Sequence, residues 1–237
     1  MTLEVVDFPT VATAAVALAD AVAHDLRAAL TTRPRALLLV SGGRSPLPFF
    51  AALTQQVLPW ERVDVSLVDE RSVAADSAEA NALLVQQHLL VGAAASARWI
   101  ALLPAAVFGQ AADPMAAARR AAAQAAAEPL LAAPDAVILG MGNDGHTASL
   151  FADAPQWADA VATTDRYIAL QPGAAPHARI SLSLQALRGQ KRCYLWATGP
   201  AKMATLQRLQ QGGAIGPVAL LVSDPGVILT AYCSRTD

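Results

Sequence analysis

Short apolar runs alternate with longer helix-forming stretches along almost the whole chain, and this alternation limits the fold more than any other feature. The apolar runs lie at 36–40, 63–68, 135–139, 193–198, 218–222 and 227–232. Several of them lack alternating polar residues, which is typical of strands buried on both faces of a parallel sheet. Predicted helices lie between them, at 11–31, 46–57, 79–91, 113–131 and 200–211. The sequence therefore predicts an α/β fold with a mostly parallel, doubly wound sheet.

The length of 237 residues allows one large domain or two small ones. No Pro-, Gly- or Ser-rich linker, composition break or internal repeat of about 20–50 residues divides the sequence. We therefore expect a single domain over residues 1–237. Hydrophobic residues make up 54% and charged residues 15% of the chain, which excludes a disordered protein.

Charge and hydrophobicity exclude several function classes. The 17 basic and 19 acidic residues give no basic excess of the kind that nucleic-acid-binding proteins usually show. The Ala-rich stretch at 11–31 is interrupted by charged residues and is not expected to span a membrane, and no signal peptide is visible. Cys193 and Cys233 lie in apolar runs without metal-ligand spacing, so we expect reduced core cysteines and no metal. The interpretation is a cytoplasmic protein.

Ligands of open α/β sheets bind beyond the carboxyl ends of the strands, so the turn after each apolar run is the place to look for chemistry. The first such turn is Ser41-Gly42-Gly43-Arg44-Ser45-Pro46. Its paired glycines let the backbone approach an anion, Ser45 adds a hydroxyl donor and Arg44 adds a charge. These residues favour a phosphate-binding turn; an ordinary strand-to-helix turn is the alternative.

Three further cations stand near strand ends. In Asp69-Glu70-Arg71, charges that follow a buried run are costly unless they are paired. Arg71 could donate to a substrate oxygen while a carboxylate orients it, or the charges could simply be solvated. Arg179 precedes another apolar alternation. Lys202 falls in the first turn of a predicted helix, where a cation is unfavourable unless an anion such as a ligand phosphate compensates it.

The turn after 135–139 reads Gly140-Met141-Gly142-Asn143-Asp144-Gly145-His146-Thr147. Its glycine spacing resembles a dinucleotide loop, but no acidic residue ends a following strand at the required distance, so NAD binding is not expected. We expect His146 to enter a helix, whose N-terminus would keep the imidazole neutral and able to accept a proton. Asp144 would fix its tautomer. A histidine that only caps the turn is the alternative.

Five segments together resemble the 6-phosphogluconolactonase family. They are SGGRSP, VDER, GMGNDGHTASLF, ARISLSL and TGPAK, in the family's order between residues 41 and 202, and DGHTASLF is the most specific. The resemblance implies a three-layer α/β/α sandwich, as in glucosamine-6-phosphate deaminases and related sugar-phosphate isomerases. It also implies hydrolysis of 6-phospho-D-glucono-1,5-lactone to 6-phospho-D-gluconate in the oxidative pentose phosphate pathway, without metal or cofactor.

The family pattern also implies roles for single residues. His146 resembles the base that activates water, with Asp144 beside it, and Arg71 and Arg179 resemble substrate-binding cations, Arg71 being counted with the catalytic set. The residues expected around the substrate and its phosphate are Gly42, Gly43, Arg44, Ser45, Asp69 and Lys202. The chain departs from the family pattern at Arg44-Ser45, where Ser-Thr is frequent, at Ala80-Asn81, where Ser-Asn is frequent, and at Ala152, where Pro is usual.

Two other functions stay open on the sequence. A glucosamine-6-phosphate deaminase or isomerase needs a carboxylate soon after the histidine, and here the first one is Asp153. A non-catalytic sugar-phosphate-binding regulator usually carries a DNA-binding helix-turn-helix, for which the chain has no spare basic segment. The absence of a GxSxG motif argues against a serine esterase. The expected partner is the small-molecule lactone alone, and we expect a monomer, with a dimer left open.

Overall fold

The structure is a computed structural model that describes residues 2–190, 192–213 and 216–235. The strands are β1 (Thr2–Phe8), β2 (Ala36–Val40), β3 (Val63–Leu67), β4 (Asp69–Arg71), β5 (Arg98–Trp99), β6 (Ala136–Gly140), β7 (Tyr167–Leu170), β8 (Arg179–Leu182), β9 (Cys193–Thr198) and β10 (Ile228–Ser234). The α-helices are α1 (Val11–Leu30), α2 (Leu47–Leu53), α3 (Asn81–His88), α4 (Ala105–Gly109), α5 (Pro114–Ala127), α6 (Trp157–Ala162), α7 (Leu184–Arg188), α8 (Pro200–Gln210) and α9 (Gly216–Val222).

Seven strands form one sheet in the order β1-β10-β9-β6-β2-β3-β5, and every neighbouring pair in it is parallel. All residues of β2 are buried, as expected for an apolar run without polar alternation, and β3 is buried throughout although Asp64 and Ser66 alternate with its apolar residues. The sheet confirms the predicted α/β fold. A second sheet, β4-β8-β7, is antiparallel and continues from the end of β3.

The helices begin where the local sequence favours a start. Thr10 caps α1 in a capping box with Thr13, and α1 buries an apolar face that includes Leu18, Val22 and Leu26. Asp113 accepts the N–H of Ala116 at the start of α5, as the Asp-Pro signal predicts. Both cysteines are buried and free, which confirms them as core residues. Within the described ranges, no helix is long and apolar enough to cross a membrane.

The predicted strand at 218–222 is wrong, because these residues belong to helix α9. A short, fully apolar run has no periodicity that separates a buried strand from a buried helix. Here Gly216 and Pro217 open a helical turn, and Val218, Leu221 and Val222 are buried at helical spacing. Strand β1 was not predicted, and neither were the short strands β4, β5 and β7 or the single-turn helices, which are too short to show a period.

The parallel strands place the motif-bearing loops at one edge of the large sheet. β2, β6 and β9 end at Val40, Gly140 and Thr198, directly before the three glycine-containing turns of the sequence. In the second sheet, the antiparallel register pairs Arg71 of β4 with Arg179 of β8. The fold therefore brings together residues that lie up to about 160 positions apart.

Candidate active site

A cavity of about 670 Å³, including its open mouth, lies among these loops. Seven of the predicted site residues line it: Gly42, Ser45, Asp69, Arg71, His146, Arg179 and Lys202. Asp144 is not part of the lining and contacts the lining residue His146 instead. Gly43 and Arg44 also lie outside the lining; Gly43 supplies a turn with φ +82°, and Arg44 is exposed. A direct contact of Arg44 with substrate stays a prediction.

His146 lies in a tight loop that pairs it with Asp144. The N–H of Gly142 donates to the His146 carbonyl at 2.8 Å, and Gly145 turns the chain with φ +79°. The Asp144 carboxylate contacts His146 Nδ1 at 2.7 Å and accepts the His146 backbone N–H at 3.2 Å. Partial burial opposes ionisation of Asp144, but these two contacts outweigh it and hold its pKa below the ordinary value. The imidazole is therefore oriented by a carboxylate that stays charged.

The expected helix after His146 is absent from the described structure, so that prediction is wrong. Residues 141–156 form turns with an isolated bridge between Thr147 and Leu150, and α6 begins only at Trp157. Ala148 adopts φ +49°, which interrupts a helical path. Thr147 Oγ1 donates to the Gly140 carbonyl, so its side chain bonds to the sheet instead of to a helix. The helix-dipole argument for a neutral imidazole therefore does not apply; the ring packs on Phe151, with centroids 4.2 Å apart.

Ser45 and Lys202 lie together in the wall of the cavity. Lys202 Nζ donates to Ser45 Oγ at 2.8 Å, and the Trp196 indole donates to the Ser45 carbonyl at 2.8 Å. Lys202 lies in the first turn of α8, after Gly199 with φ +91°. Burial lowers its pKa, and no carboxylate of the described chain lies within ion-pair distance of it. An unpaired ammonium at a helix start is a suitable site for an anion.

Arg71 and Arg179 form the second cationic group. Arg71 Nη1 donates to the Glu79 carbonyl at 2.6 Å, and Arg179 Nη2 donates to the Pro176 carbonyl at 3.2 Å. The Nε atoms of both arginines are buried without a hydrogen-bond partner. Burial lowers the pKa of Arg179. Neither guanidinium group is paired with a carboxylate of the described residues, and two such groups side by side favour a ligand that brings oxygen acceptors.

Asp69 of β4 joins the loop that follows His146 to the start of α3. Its carboxylate accepts a 2.5 Å hydrogen bond from Ser149 Oγ, and its carbonyl accepts one from Asn81 Nδ2 at 2.9 Å. Asn81 lines the cavity and packs so closely on Gly42 that a Cβ at Gly42 would overlap the Asn81 side chain. This contact explains why a glycine is needed at position 42.

Asn81, Ser149 and Trp196 are among the residues of the cavity region that carried no assigned role at the sequence level. Asn81 stood out only as part of the Ala80-Asn81 departure, and Ser149 only as a letter of the histidine motif. Trp196 lies inside a strand, where nothing in the sequence separates it from a core residue.

The described residues contain no group of three or more His, Cys, Asp and Glu side chains that could hold a metal ion.

Comparison with known proteins places this architecture in a family. A family profile described as glucosamine-6-phosphate isomerases/6-phosphogluconolactonase matches residues 9–228. A 6-phosphogluconolactonase of Pseudomonas putida is 39% identical over 90% of this chain and 86% of its own length. One from Neisseria meningitidis serogroup A is 37% identical over 93% of this chain and 94% of its own length.

Solved structures agree with the sequence relatives. A 6-phosphogluconolactonase from Shewanella baltica superposes with a TM-score of 0.87 at 31% identity, over 98% of both chains. A monomeric glucosamine-6-phosphate deaminase superposes with a TM-score of 0.74 at 17% identity, over 98% of both chains, a likeness of fold alone. The chain belongs to the glucosamine-6-phosphate isomerase/6-phosphogluconolactonase family.

Proposed function

We propose that the protein hydrolyses 6-phospho-D-glucono-1,5-lactone to 6-phospho-D-gluconate, a step of the oxidative pentose phosphate pathway, with His146 as the general base. The observation that supports this proposal most directly is the 2.7 Å contact between His146 Nδ1 and the Asp144 carboxylate. It lies at a cavity that is also lined by the cations Arg71, Arg179 and Lys202. The names of the relatives above support the same substrate. A lactone carbonyl is already electrophilic, so a positioned base and a binding site for the phosphate are the main requirements.

The proposed reaction uses the ring nitrogen opposite the carboxylate contact. Because Nδ1 bonds to Asp144, the neutral imidazole carries its lone pair on Nε2, which accepts a proton from water as the water oxygen bonds to C1. The charge of Asp144 stabilises the imidazolium. When the bond between C1 and the ring oxygen breaks, Nε2 returns the proton to that oxygen. A positioned base of this kind contributes about 10²–10⁴-fold to the rate.

The cations of the cavity bind and orient the lactone in this proposal. Lys202 and Ser45, with the backbone of Gly42 and Gly43, receive the 6-phosphate. Arg71 and Arg179 donate to substrate oxygens, and a donor aimed at the developing oxyanion contributes about 3 kcal/mol. Holding both ends of the substrate sets C1 opposite the histidine, which is catalysis by position.

The test is enzymatic opening of freshly generated lactone, followed by proton release and compared with opening in buffer alone. We expect His146→Ala to lower kcat by about 10²–10⁴-fold with little change in KM. A loss confined to KM contradicts the assignment of His146 as the base. Without acceleration by the wild type the proposed function fails, and turnover of glucosamine-6-phosphate is measured next.

The proposal extends to one domain over residues 1–237, acting as a monomer in the cytoplasm. Support for the single domain comes from the large sheet, whose strands span residues from Thr2 to Ser234. Light scattering after gel filtration tests the monomer directly; a mass of about twice 24.5 kDa contradicts it.

A further inference from the structure

Glu70 is a buried carboxylate placed directly behind the wall of the cavity. It is 2% exposed and lies on β4 between Asp69 and Arg71, both of which line the cavity. Its Oε1 accepts the backbone N–H groups of Arg71 at 2.7 Å and Asn81 at 2.8 Å, and its Oε2 accepts that of Ala82 at 2.7 Å. Three short bonds to backbone donors fix this side chain in one position.

Helix α3 lacks a cap from its own sequence. The residue before the helix is Ala80, whose side chain cannot accept a hydrogen bond, and the first turn of α3 contains no acidic residue. The N–H groups of Asn81 and Ala82 are the first two of the helix, and such groups need acceptors from outside it. Glu70 accepts both of them from another element, 11 and 12 residues earlier in the chain.

The Glu70 carboxylate thereby connects the two elements of the site that carry Arg71 and Asn81. Asn81, held through its N–H, binds the Asp69 carbonyl with its amide and packs on Gly42. Arg71, held through its own N–H, extends its guanidinium to the Glu79 carbonyl just before α3. Release of Glu70 would remove two of the hydrogen bonds that join the start of α3 to β4 and would loosen both side chains at the cavity wall.

We propose that Glu70 is a positioning residue that caps α3 from β4 and so holds Asn81 and Arg71 in place for the substrate. Its kinetic effect rests on the function proposed above. Asp69 and Arg71 are the charged neighbours of Glu70 on its own strand. Arg179 on β8 and Glu79 in the loop before α3 are the others, while α3 contributes backbone N–H groups. Burial raises the pKa of Glu70 to about 7, although the three N–H groups favour its charged form.

The test compares Glu70→Gln with Glu61→Gln, a matched change of an exposed carboxylate in the turn before β3. The glutamine amide keeps one oxygen acceptor and turns its NH₂ group toward at least one of the two backbone N–H groups at the start of α3, so the two-oxygen cap is broken. We expect amide hydrogen exchange of Asn81 and Ala82 to quicken about tenfold in the Glu70→Gln protein. We expect its KM for the lactone to rise at least about tenfold while kcat falls much less than in His146→Ala, since the His146 loop is untouched. An unchanged KM, or equal effects in both variants, overturns the proposal.

A second variant separates capping from a general loss of stability. Ala80→Ser supplies a local cap whose hydroxyl accepts an N–H of the first turn of α3. Added to Glu70→Gln, it should restore slow exchange at Asn81 and Ala82 and return KM toward the wild-type value. If Glu70→Gln alone does not fold, recovery of folding in the double variant supports the proposal. A double variant no better than Glu70→Gln rejects it.

The two proposals fail in different ways. If the wild type does not accelerate lactone opening, the proposed function is wrong. Amide exchange at Asn81 and Ala82 in Glu70→Gln still decides whether Glu70 caps α3, because that readout needs no substrate.

Discussion

Gly142 shows how closely single atoms determine the geometry of this site. A Cβ at this position would overlap the imidazole of His146 and the carboxylate of Asp144. Both are side-chain ends that can rotate away, so an added methyl group displaces them without forcing the backbone apart. The glycine therefore matters for the contact between the two residues more than for the fold.

We predict that Gly142→Ala lowers kcat for the lactone by at least about tenfold, because the imidazole loses the orientation that Asp144 gives it. The melting temperature should stay within about 2 °C of the wild type. The control is Gly109→Ala, at the end of α4, where a Cβ has no atom within 4 Å. Full activity of Gly142→Ala would show that the displaced pair is not the catalytic one.

The sequence indicated cavity residues where a charged or glycine-rich turn follows an apolar run. These turns led to His146, Lys202 and Arg71, because burying a charged group at a strand end costs free energy unless the group is paired. Asn81 and Trp196 could not be found in this way. Their place at the cavity depends on the path of β4 and α3 and on the stacking of strands, which no local pattern records.

At the scale of elements, α9 supports the loop that carries His146. The N–H of Val218, in its first turn, donates to the Gly145 carbonyl at 3.0 Å. Gly216 has φ +54°, and a Cβ there would lie 2.7 Å from the backbone of Asp144 and Gly145. Unlike the contacts of Gly142, these are backbone atoms that cannot rotate aside.

We predict that Gly216→Ala lowers both the free energy of unfolding, by about 1–3 kcal/mol, and kcat, since the histidine loop must shift. Gly212→Ala is the matched control, because Gly212 has φ +79° and no atom within 4 Å of the added Cβ. Urea unfolding and lactone kinetics on both variants measure the difference. If Gly212→Ala lowers kcat as much, contact with the histidine loop is not the cause.

The element predictions were wrong where tertiary contacts replace local preference. The run at 218–222 is a helix because it packs beneath the His146 loop and not as another strand. The residues after His146 do not form a helix, because the hydroxyl groups of Thr147 and Ser149 donate to the Gly140 carbonyl and the Asp69 carboxylate. The long helices α1 and α5 were predictable because each carries full helical periods, and the apolar runs of β2 and β9 fit strands buried on both faces of a parallel sheet.

At the scale of the whole molecule, the two ends of the parallel sheet differ in what they contribute. The carboxyl ends hold the cavity, while the amino end of β3 holds a charge cluster in which Asp64 accepts bonds from Arg35 at 2.7 Å and from Arg98 at 2.6 and 2.8 Å. Burial opposes ionisation of Asp64, but Arg98 and Arg35 outweigh it and hold its pKa below the ordinary value of 3.8. The cluster ties the segment before β2 to β3 and β5.

We predict that Asp64→Asn lowers the free energy of unfolding at pH 7 by about 2–3 kcal/mol and leaves kcat and KM unchanged. Because the folded pKa is lowered, this contribution is fully present above pH 3.8 and is lost as the pH falls through the folded value. Urea titrations at pH 7 and pH 3 should therefore show a difference that shrinks in acid. A constant difference would mean that the charge of Asp64 is not responsible.

The pairing of β1 with β10 also affects how the chain is made. Leu3 lies opposite Leu229 in the parallel register, and β10 separates β1 from the rest of the sheet. At about 5–20 residues per second, a ribosome needs roughly 10–45 s to produce the partner of β1 after β1 itself has been made. During that time β1 has an unpaired edge, which can pair with other nascent chains. Shielding of β1 by a chaperone during synthesis would therefore reduce aggregation of the unfinished chain.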